Sequence, residues 1–386
     1  MKTFQYFQPT EIRFGRGRFA ELGSVTARFG RRALLVSVRE EPCFHGLFSR
    51  AKAHLVKTGL AVARFDEVIP NPTTDVVTRG AQAARRFRAD VVVAVGGGST
   101  IDTAKAIAVE ATHPGGAWDY LFFRDKQPTA KTLPVVAVTT TSGTGSHVTQ
   151  VAVVTNPAEK NKSALYHPLL YPRASLVDPE LMTTLPPKVT AATGFDVFAH
   201  AFESYINPGG SPYTDMMALE ALRLVARFLP VAVKKGKDLD AREGMAWADT
   251  LAGLCIANAG VTLPHGIGMA IGGLYPHVAH GEALAVVYPA ILEYTYRLAP
   301  DKFAAVGRIF DRRIAASRGV QAAGQASAAI SRFIRRIGMG LRLRDLKVPK
   351  AELEALARQS LVLPDFKNHP RLATLADVKA ILDRSL

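Results

Sequence analysis

Cysteine is scarce. The 386-residue chain holds two, Cys43 and Cys255. That count excludes a disulfide framework and a cysteine-based zinc motif, and it suits a reducing cytoplasm. No internal repeat or low-complexity tract is present. The N-terminal segment, MKTFQYFQPTEIRFG, lacks the continuous apolar core of a signal peptide. Charge is missing altogether from residues 250–281, which contain no Asp, Glu, Lys or Arg. A run that long raises a membrane span. However, Asn258, Pro264, three histidines and several glycines would leave polar groups unmet in lipid. The stretch reads as the buried interior of a domain, and no membrane partner is expected.

Acidic residues are outnumbered, 33 against 48 Lys and Arg, giving a formal net charge of +15. Such a balance brings nucleic-acid binding into consideration. The basic residues are scattered, with only short clusters such as Lys234-Lys235 and Arg335-Arg336. No RNA-binding aromatic signature or helix-turn-helix pattern accompanies them. A solvated basic surface is the reading adopted, with no nucleic-acid partner. Such a surface would attract anionic cofactors or substrates.

With 386 residues, 48% of them hydrophobic, the chain is long enough for two domains. The first half alternates short β-branched runs with helical patterns. Strands are expected at Ala33–Val38, Ala61–Val68, Asp90–Val95 and Pro134–Thr139. Helices are expected at Leu47–Thr58, Thr74–Arg88 and Ile101–Ala111. This rhythm predicts a doubly wound α/β domain over residues 1–185. Past Leu185-Pro186-Pro187 helical patterns dominate, from Val189–Ile206 through Lys350–Gln359, so residues 186–386 are read as an all-α domain.

Two loops follow buried strands. Gly96-Gly97-Gly98-Ser99 closes the run Asp90–Val95 and opens a helix. Glycines there let the backbone approach pyrophosphate closely and adopt positive φ. The helix N-terminus adds free N–H groups and a favourable dipole. Ser99 or Thr100 is expected to cap that helix, with Asp102 in its first turn. The pattern differs from the G-x-G-x-x-G fingerprint. Beyond Val38, Arg39 could face the 2′-phosphate of NADP and Glu40 the ribose of NAD. The second loop, Thr139 to Ser146, offers a dense row of hydroxyls for a phosphate or an amide.

Asp196 and His200 stand four apart in GFDVFAHAFESY and share one helical face. Phe195, Val197, Phe198, Ala199, Ala201 and Phe202 surround them, and a buried Asp needs a cation or several hydrogen bonds. His265 and His280 lie in the uncharged stretch, with His277 as a competitor for the second place. One carboxylate and three imidazoles suit a divalent transition metal with a position left open for substrate.

On these motifs the chain resembles the iron-containing, or group III, alcohol dehydrogenases. The resemblance runs from Pro70-Asn71-Pro72 through GGGSTIDTAKAIA, TTTSGTGS, Val177-Asp178-Pro179 and ATGFDVFAHAFESY. It continues to Asn258-Ala259-Gly260, the two His-Gly sites and His369-Pro370-Arg371. It implies an N-terminal dinucleotide-binding α/β domain and a helical C-terminal domain, the dehydroquinate synthase-like fold. It also implies Asp196, His200, His265 and His280 as ligands of Fe2+, and selects His280 over His277. Zn2+ is the second candidate, because zinc usually outcompetes ferrous iron for such ligands.

By the same match Gly97, Gly98, Thr140, Thr141 and Thr144 contact NAD or NADP; Ser99 and Asp102, from the reading of the helix start, are counted with them. Lys162 reaches a ribose, and Asn71 and Leu181 border the two ends of the cofactor. Two positions depart from the pattern. His147 stands where many members have Glu, and Met269 stands where many have a histidine that serves as proton relay. His277 is the candidate substitute relay.

The expected reaction is hydride transfer between NAD(P)(H) and a small alcohol or carbonyl compound. The enzyme is expected to be a cytoplasmic homodimer or larger homo-oligomer. A dehydroquinate synthase-like lyase and a maleylacetate-type reductase share the fold and are the rivals. Formation of NAD(P)H from simple alcohols would count against the lyase, and the intact ligand set counts against the reductase.

Overall fold

Val, Ala and Leu runs with no charge along them are buried on both faces, the hallmark of parallel strands covered by helices. The computed structural model describes residues 2–386 and contains such a sheet. In chain order its first unit contains β1 (Glu11–Phe14), α1 (Leu22–Thr26), β2 (Arg32–Val36) and α2 (Leu47–Lys57). Then come β3 (Ala61–Phe65), α3 (Thr74–Phe87), β4 (Val91–Gly96), α4 (Gly98–Glu110) and β5 (Val135–Thr139). A hairpin, β6 (Val151–Asn156) and β7 (Asn161–Tyr166), precedes β8 (Ala174–Val177).

Six strands form one all-parallel sheet in the order β1-β8-β5-β4-β2-β3, while β6 and β7 pair antiparallel. Strands β2 and β4 are neighbours; the connection after β2 runs outward to β3, whereas the connection after β4 runs the opposite way to β5. Ligands of open α/β sheets bind outside the carboxyl ends of strands at such a switch. The glycine loop follows β4 there. Register also sets the two loops side by side: Gly96 pairs with Thr139, and Thr140 N–H donates to the Gly96 carbonyl at 3.0 Å.

The second unit is helical. It contains α5 (Pro187–Ile206), α6 (Pro212–Lys234), α7 (Leu239–Ala259), α8 (Leu263–Leu274) and α9 (His280–Thr295). It continues with α10 (Pro300–Phe310), α11 (Gly319–Arg336), α12 (Leu353–Gln359) and α13 (Leu375–Arg384). Contacts divide the chain at Leu185 and Pro186, and the segment up to Phe7 groups with the helical unit. Within that unit α5 packs against α6, α7 and α9. The uncharged stretch spans the end of α7, all of α8 and the start of α9. Helices α7 and α8 are bent by 102° across Gly260, and among the described residues no single helix is long and apolar enough to cross a membrane.

Several local expectations need correction. Helix α4 starts at Gly98, and Gly97, not Ser99 or Thr100, occupies its N-cap without a side-chain cap; its first turn holds no acidic residue, so Asp102 lies past it. None of Gly96, Gly97 and Gly98 has positive φ. Close packing against neighbouring threonines requires their small size instead. Strand β8 and helices α8, α10 and α13 are elements that the sequence pattern does not announce.

Candidate metal centre and dinucleotide loops

Helix α5 places Asp196, His200 and Glu203 on one face, at positions i, i+4 and i+7. All three are buried, within a helix whose other side chains form an aromatic core around Phe195, Phe198 and Phe202. After α7 the chain turns at Gly260, whose φ is +77°. Ser204 of α5 and its C-cap residue Asn207 hold that turn: Ser204 Oγ donates to the Gly260 carbonyl at 3.0 Å and Asn207 Nδ2 to the Ala259 carbonyl at 2.5 Å. Helix α8 then starts, with His265 in its first turn beside Pro264. His280 opens α9, and Gly281 lets that helix approach α5. A Cβ at Gly281 would lie 2.0 Å from the Ala192 carbonyl oxygen.

Four atoms converge as a result. Asp196 Oδ1 lies 3.6 Å from His200 Nε2, 3.5 Å from His265 Nε2 and 3.8 Å from His280 Nε2. These separations are too long for hydrogen bonds. For Asp196, His265 and His280, whose ligand atoms all lie within 4.8 Å of one another, they match a shared cation, since ligands at about 2.1 Å in tetrahedral array stand roughly 3.4 Å apart; His200 faces the same Asp196 oxygen from outside that group. Asp196 Oδ1 and His265 Nε2 are buried and have no hydrogen-bond partner among the described residues. Burial works to raise the Asp196 carboxyl, but His200, His280 and His265 outweigh it and hold it well below the carboxylate range. For His265 burial works downward, yet Glu203 and Asp196 raise the imidazole to about 10. The site therefore calls for positive charge at its centre, and the residues present fit a divalent metal.

Glu203 is a supporting residue that the motifs do not mark. It is fully buried and its Oε1 accepts from His265 Nδ1 at 2.7 Å. A signal exists in the sequence, because Glu203 continues the Asp196–His200 face one turn further. His277, the candidate relay, is not gathered with the ligands. It is exposed, and its Nε2 lies 3.0 Å from the Leu346 carbonyl. A carbonyl only accepts, so that nitrogen carries the proton. Met269 is buried in α8.

In the sheet unit the glycine loop and the hydroxyl-rich loop interlock. A Cβ on Gly98 would stand 2.3 Å from Thr144 Cγ2, and one on Gly97 would stand 2.9 Å from Thr141 Oγ1. The Thr140 hydroxyl is buried without a hydrogen-bond partner among the described residues. Asp102 accepts from Ser146 Oγ at 2.6 Å, and burial raises its carboxyl against the opposing pull of Lys105. Lys105 is fully buried and donates to the carbonyls of Ser146, Thr149 and Val151 at 2.7 to 2.8 Å. Burial brings its amine down to about 7, partly offset by Asp102. The same network covers His147, whose imidazole burial lowers to about 3.

Asn71, at φ +52°, accepts from Lys162 Nζ at 2.8 Å, so these two predicted residues meet. Ser99 is half-buried in the first turn of α4, and Leu181 is partly buried against one core cluster of the sheet unit. Beyond β2, Glu40 accepts from Gly46 N–H at 3.0 Å and faces Arg64 at 3.6 Å, while Arg39 is exposed.

Gly98→Ala should displace the hydroxyl loop through Thr144. The expected effect is a KM for the dinucleotide raised on the order of tenfold, from ~1–3 kcal/mol of overpacking, with metal content unchanged. Steady-state kinetics with varied cofactor measure it, and an unaltered KM contradicts the loop assignment.

Residues 9–179 match the family model described as iron-containing alcohol dehydrogenase. Residues 190–386 match the model for the C-terminal part of the Fe-containing alcohol dehydrogenase family. The 1,3-propanediol dehydrogenase of Klebsiella pneumoniae is 36% identical over 382 residues, covering 98% of both chains. The NAD-dependent methanol dehydrogenase of Bacillus methanolicus is 32% identical over 381 residues, covering 99% of both. Among solved structures, an archaeal halo-thermophilic alcohol dehydrogenase from a Red Sea brine pool gives a TM-score of 0.95 at 34% identity, with 100% of both chains covered.

Proposed function

The chain belongs to the iron-containing alcohol dehydrogenase family, and from that membership we propose an iron-dependent enzyme that moves hydride between NAD or NADP and a small alcohol or its aldehyde. The observation that carries this reading is the shell of Asp196 Oδ1 and three imidazole Nε2 atoms, 3.5 to 3.8 Å from that oxygen. A ferrous ion held there would supply Lewis-acid polarisation of the substrate oxygen.

The chain's own groups do the rest. Asp196 offsets the charge of the cation, and His200, His265 and His280 fix its geometry. Gly97 and Gly98 admit the dinucleotide backbone to the amino end of α4, where Ser99 stands in the first turn. Thr140, Thr141 and Thr144 present hydroxyls, Asp102 orders Ser146, Lys162 addresses a ribose, and Asn71, bonded to Lys162, borders the adenine end. Leu181 borders the nicotinamide end. His277 keeps the role of relay through Nδ1, since Nε2–H is given to Leu346. Exposed Arg39 supports use of NADP beside NAD. In this reading the enzyme is cytoplasmic and forms a homodimer or larger homo-oligomer; β1 lies at one edge of the sheet.

Chelation should abolish alcohol-dependent NAD(P)H formation and lower the melting temperature by several degrees, because a ligand bound only to the folded state stabilises it. Added Fe2+ should restore both, and Zn2+ is the comparison ion. A reductase screen over short aldehydes, hydroxy acids and phosphorylated aldehydes, with NADH and NADPH, identifies the substrate. Undiminished turnover after complete metal removal counts against the reading.

A further inference from the structure

Four donors converge on the buried Glu203 carboxylate. His265 Nδ1 lies 2.7 Å and the Tyr288 hydroxyl 3.2 Å from Oε1. The Thr262 backbone N–H, at 2.8 Å, and the Thr262 hydroxyl, at 3.2 Å, both donate to Oε2. A buried carboxylate is tolerated when paired and hydrogen-bonded in this way. The arrangement does more than satisfy Glu203. Thr262 is the N-cap of α8, so the carboxylate fixes where that helix begins and hence where His265 stands. Its negative charge also sits at the positive end of the α8 dipole. Tyr288 belongs to α9, which opens with His280. One side chain on α5 thus ties together the three helices that carry Asp196, His200, His265 and His280.

The His265 ring has a second edge. Its Nε2 faces Asp196 Oδ1 at 3.5 Å and has no hydrogen-bond partner among the described residues. Against an acceptor-only carboxylate, Nδ1 must carry a proton, so Nε2 is the nitrogen whose lone pair a bound cation would take. We propose that Glu203 is the positioning residue of the metal centre: it sets the His265 tautomer, aims Nε2 at the ion and makes the imidazole a stronger donor. Thr262 and Tyr288 hold Glu203 in turn. This assignment rests on the metal reading above.

Glu203→Gln tests it. An amide has one acceptor oxygen, so its NH2 must face either Thr262 N–H or His265 Nδ1–H. With Co2+ as the probe, read from its visible absorption and from chelator competition, the Kd should rise about 10- to 100-fold. A double-mutant cycle with His265→Ala separates positioning from a general structural tie. If Glu203 acts through His265, adding Glu203→Gln to His265→Ala should change the Co2+ Kd by less than about twofold. Full additivity overturns the proposal, as does a wild-type Kd in Glu203→Gln. If Glu203→Gln does not fold, Tyr288→Phe decides the matter: a raised Co2+ Kd supports the proposal and an unchanged one overturns it. Failure of the unaltered protein to bind Co2+ removes the metal reading itself. Tight binding unchanged by Glu203→Gln removes only the role of Glu203.

Discussion

Replacing Asp196 by Ala should strip the metal and lower kcat by roughly a thousandfold, since Lewis-acid stabilisation worth several kcal/mol converts at about 1.4 kcal/mol per tenfold. The size of the effect follows from the geometry. Asp196 Oδ1 is the atom that all three Nε2 atoms face, at 3.5 to 3.8 Å. Without it three imidazoles surround a buried centre with no anionic ligand to offset a divalent charge. His280→Ala should act in the same direction. Metal content by elemental analysis and kcat at saturating alcohol and cofactor are the two readouts. They should fall together, and a metal-free Asp196→Ala enzyme with unreduced kcat contradicts the site.

Gly281→Ala should be nearly as damaging, although it removes no ligand. The added Cβ would stand 2.0 Å from the Ala192 carbonyl oxygen and 2.6 Å from its carbon. Both are backbone atoms of α5, so neither can swing aside. Helix α9 must retreat, and His280 retreats with it. Overpacking of this kind costs about 3 kcal/mol, and the metal should be largely lost as well. Thermal unfolding and metal content check both parts. Gly324→Ala is the control: its Cβ would meet the Tyr296 ring at an ordinary 3.6 Å, so melting temperature and metal content should stay near the wild-type values. A Gly281→Ala protein that melts and binds metal like the parent contradicts the close approach of α9 to α5.

The sequence announces the sheet well where strands are buried on both faces. Val91–Val95 and Val135–Val138 are uninterrupted apolar runs too short for buried helices, and a parallel strand covered on both sides accounts for them. Helix α5 is equally legible, because the apolar residues around Asp196 and His200 keep helical period. Helix α8 is hidden for a physical reason. Its sequence, LPHGIGMAIGGL, carries four glycines, each disfavouring a helix by about 1 kcal/mol. Burial of nearly the whole element overrides that preference. The glycines also serve packing, as Gly268 does beside Leu284, where a Cβ would come within 2.9 Å.

The candidate site is legible in its ligands and less so in its support. Asp196, His200, His265 and His280 stand out as polar residues in apolar or uncharged surroundings. Glu203 has the same property, yet its partners Thr262 and Tyr288 are 59 and 85 residues away. Nothing local marks them as its donors. The glycine loop is a close approach, as its composition suggests, but the cause differs from the expected one. Positive φ falls at Gly145 and Asn71, while Gly97 and Gly98 are small because Thr141 and Thr144 press on them.

The central claim is that Asp196, His200, His265 and His280 hold a catalytic metal. Its most direct test is elemental analysis of the protein purified without added metal, beside alcohol-dependent NAD(P)H formation before and after chelation. The account predicts about one divalent ion per chain, iron first, with activity lost on its removal and regained on its return. A chain that carries no ion and still oxidises alcohols at full rate would contradict it.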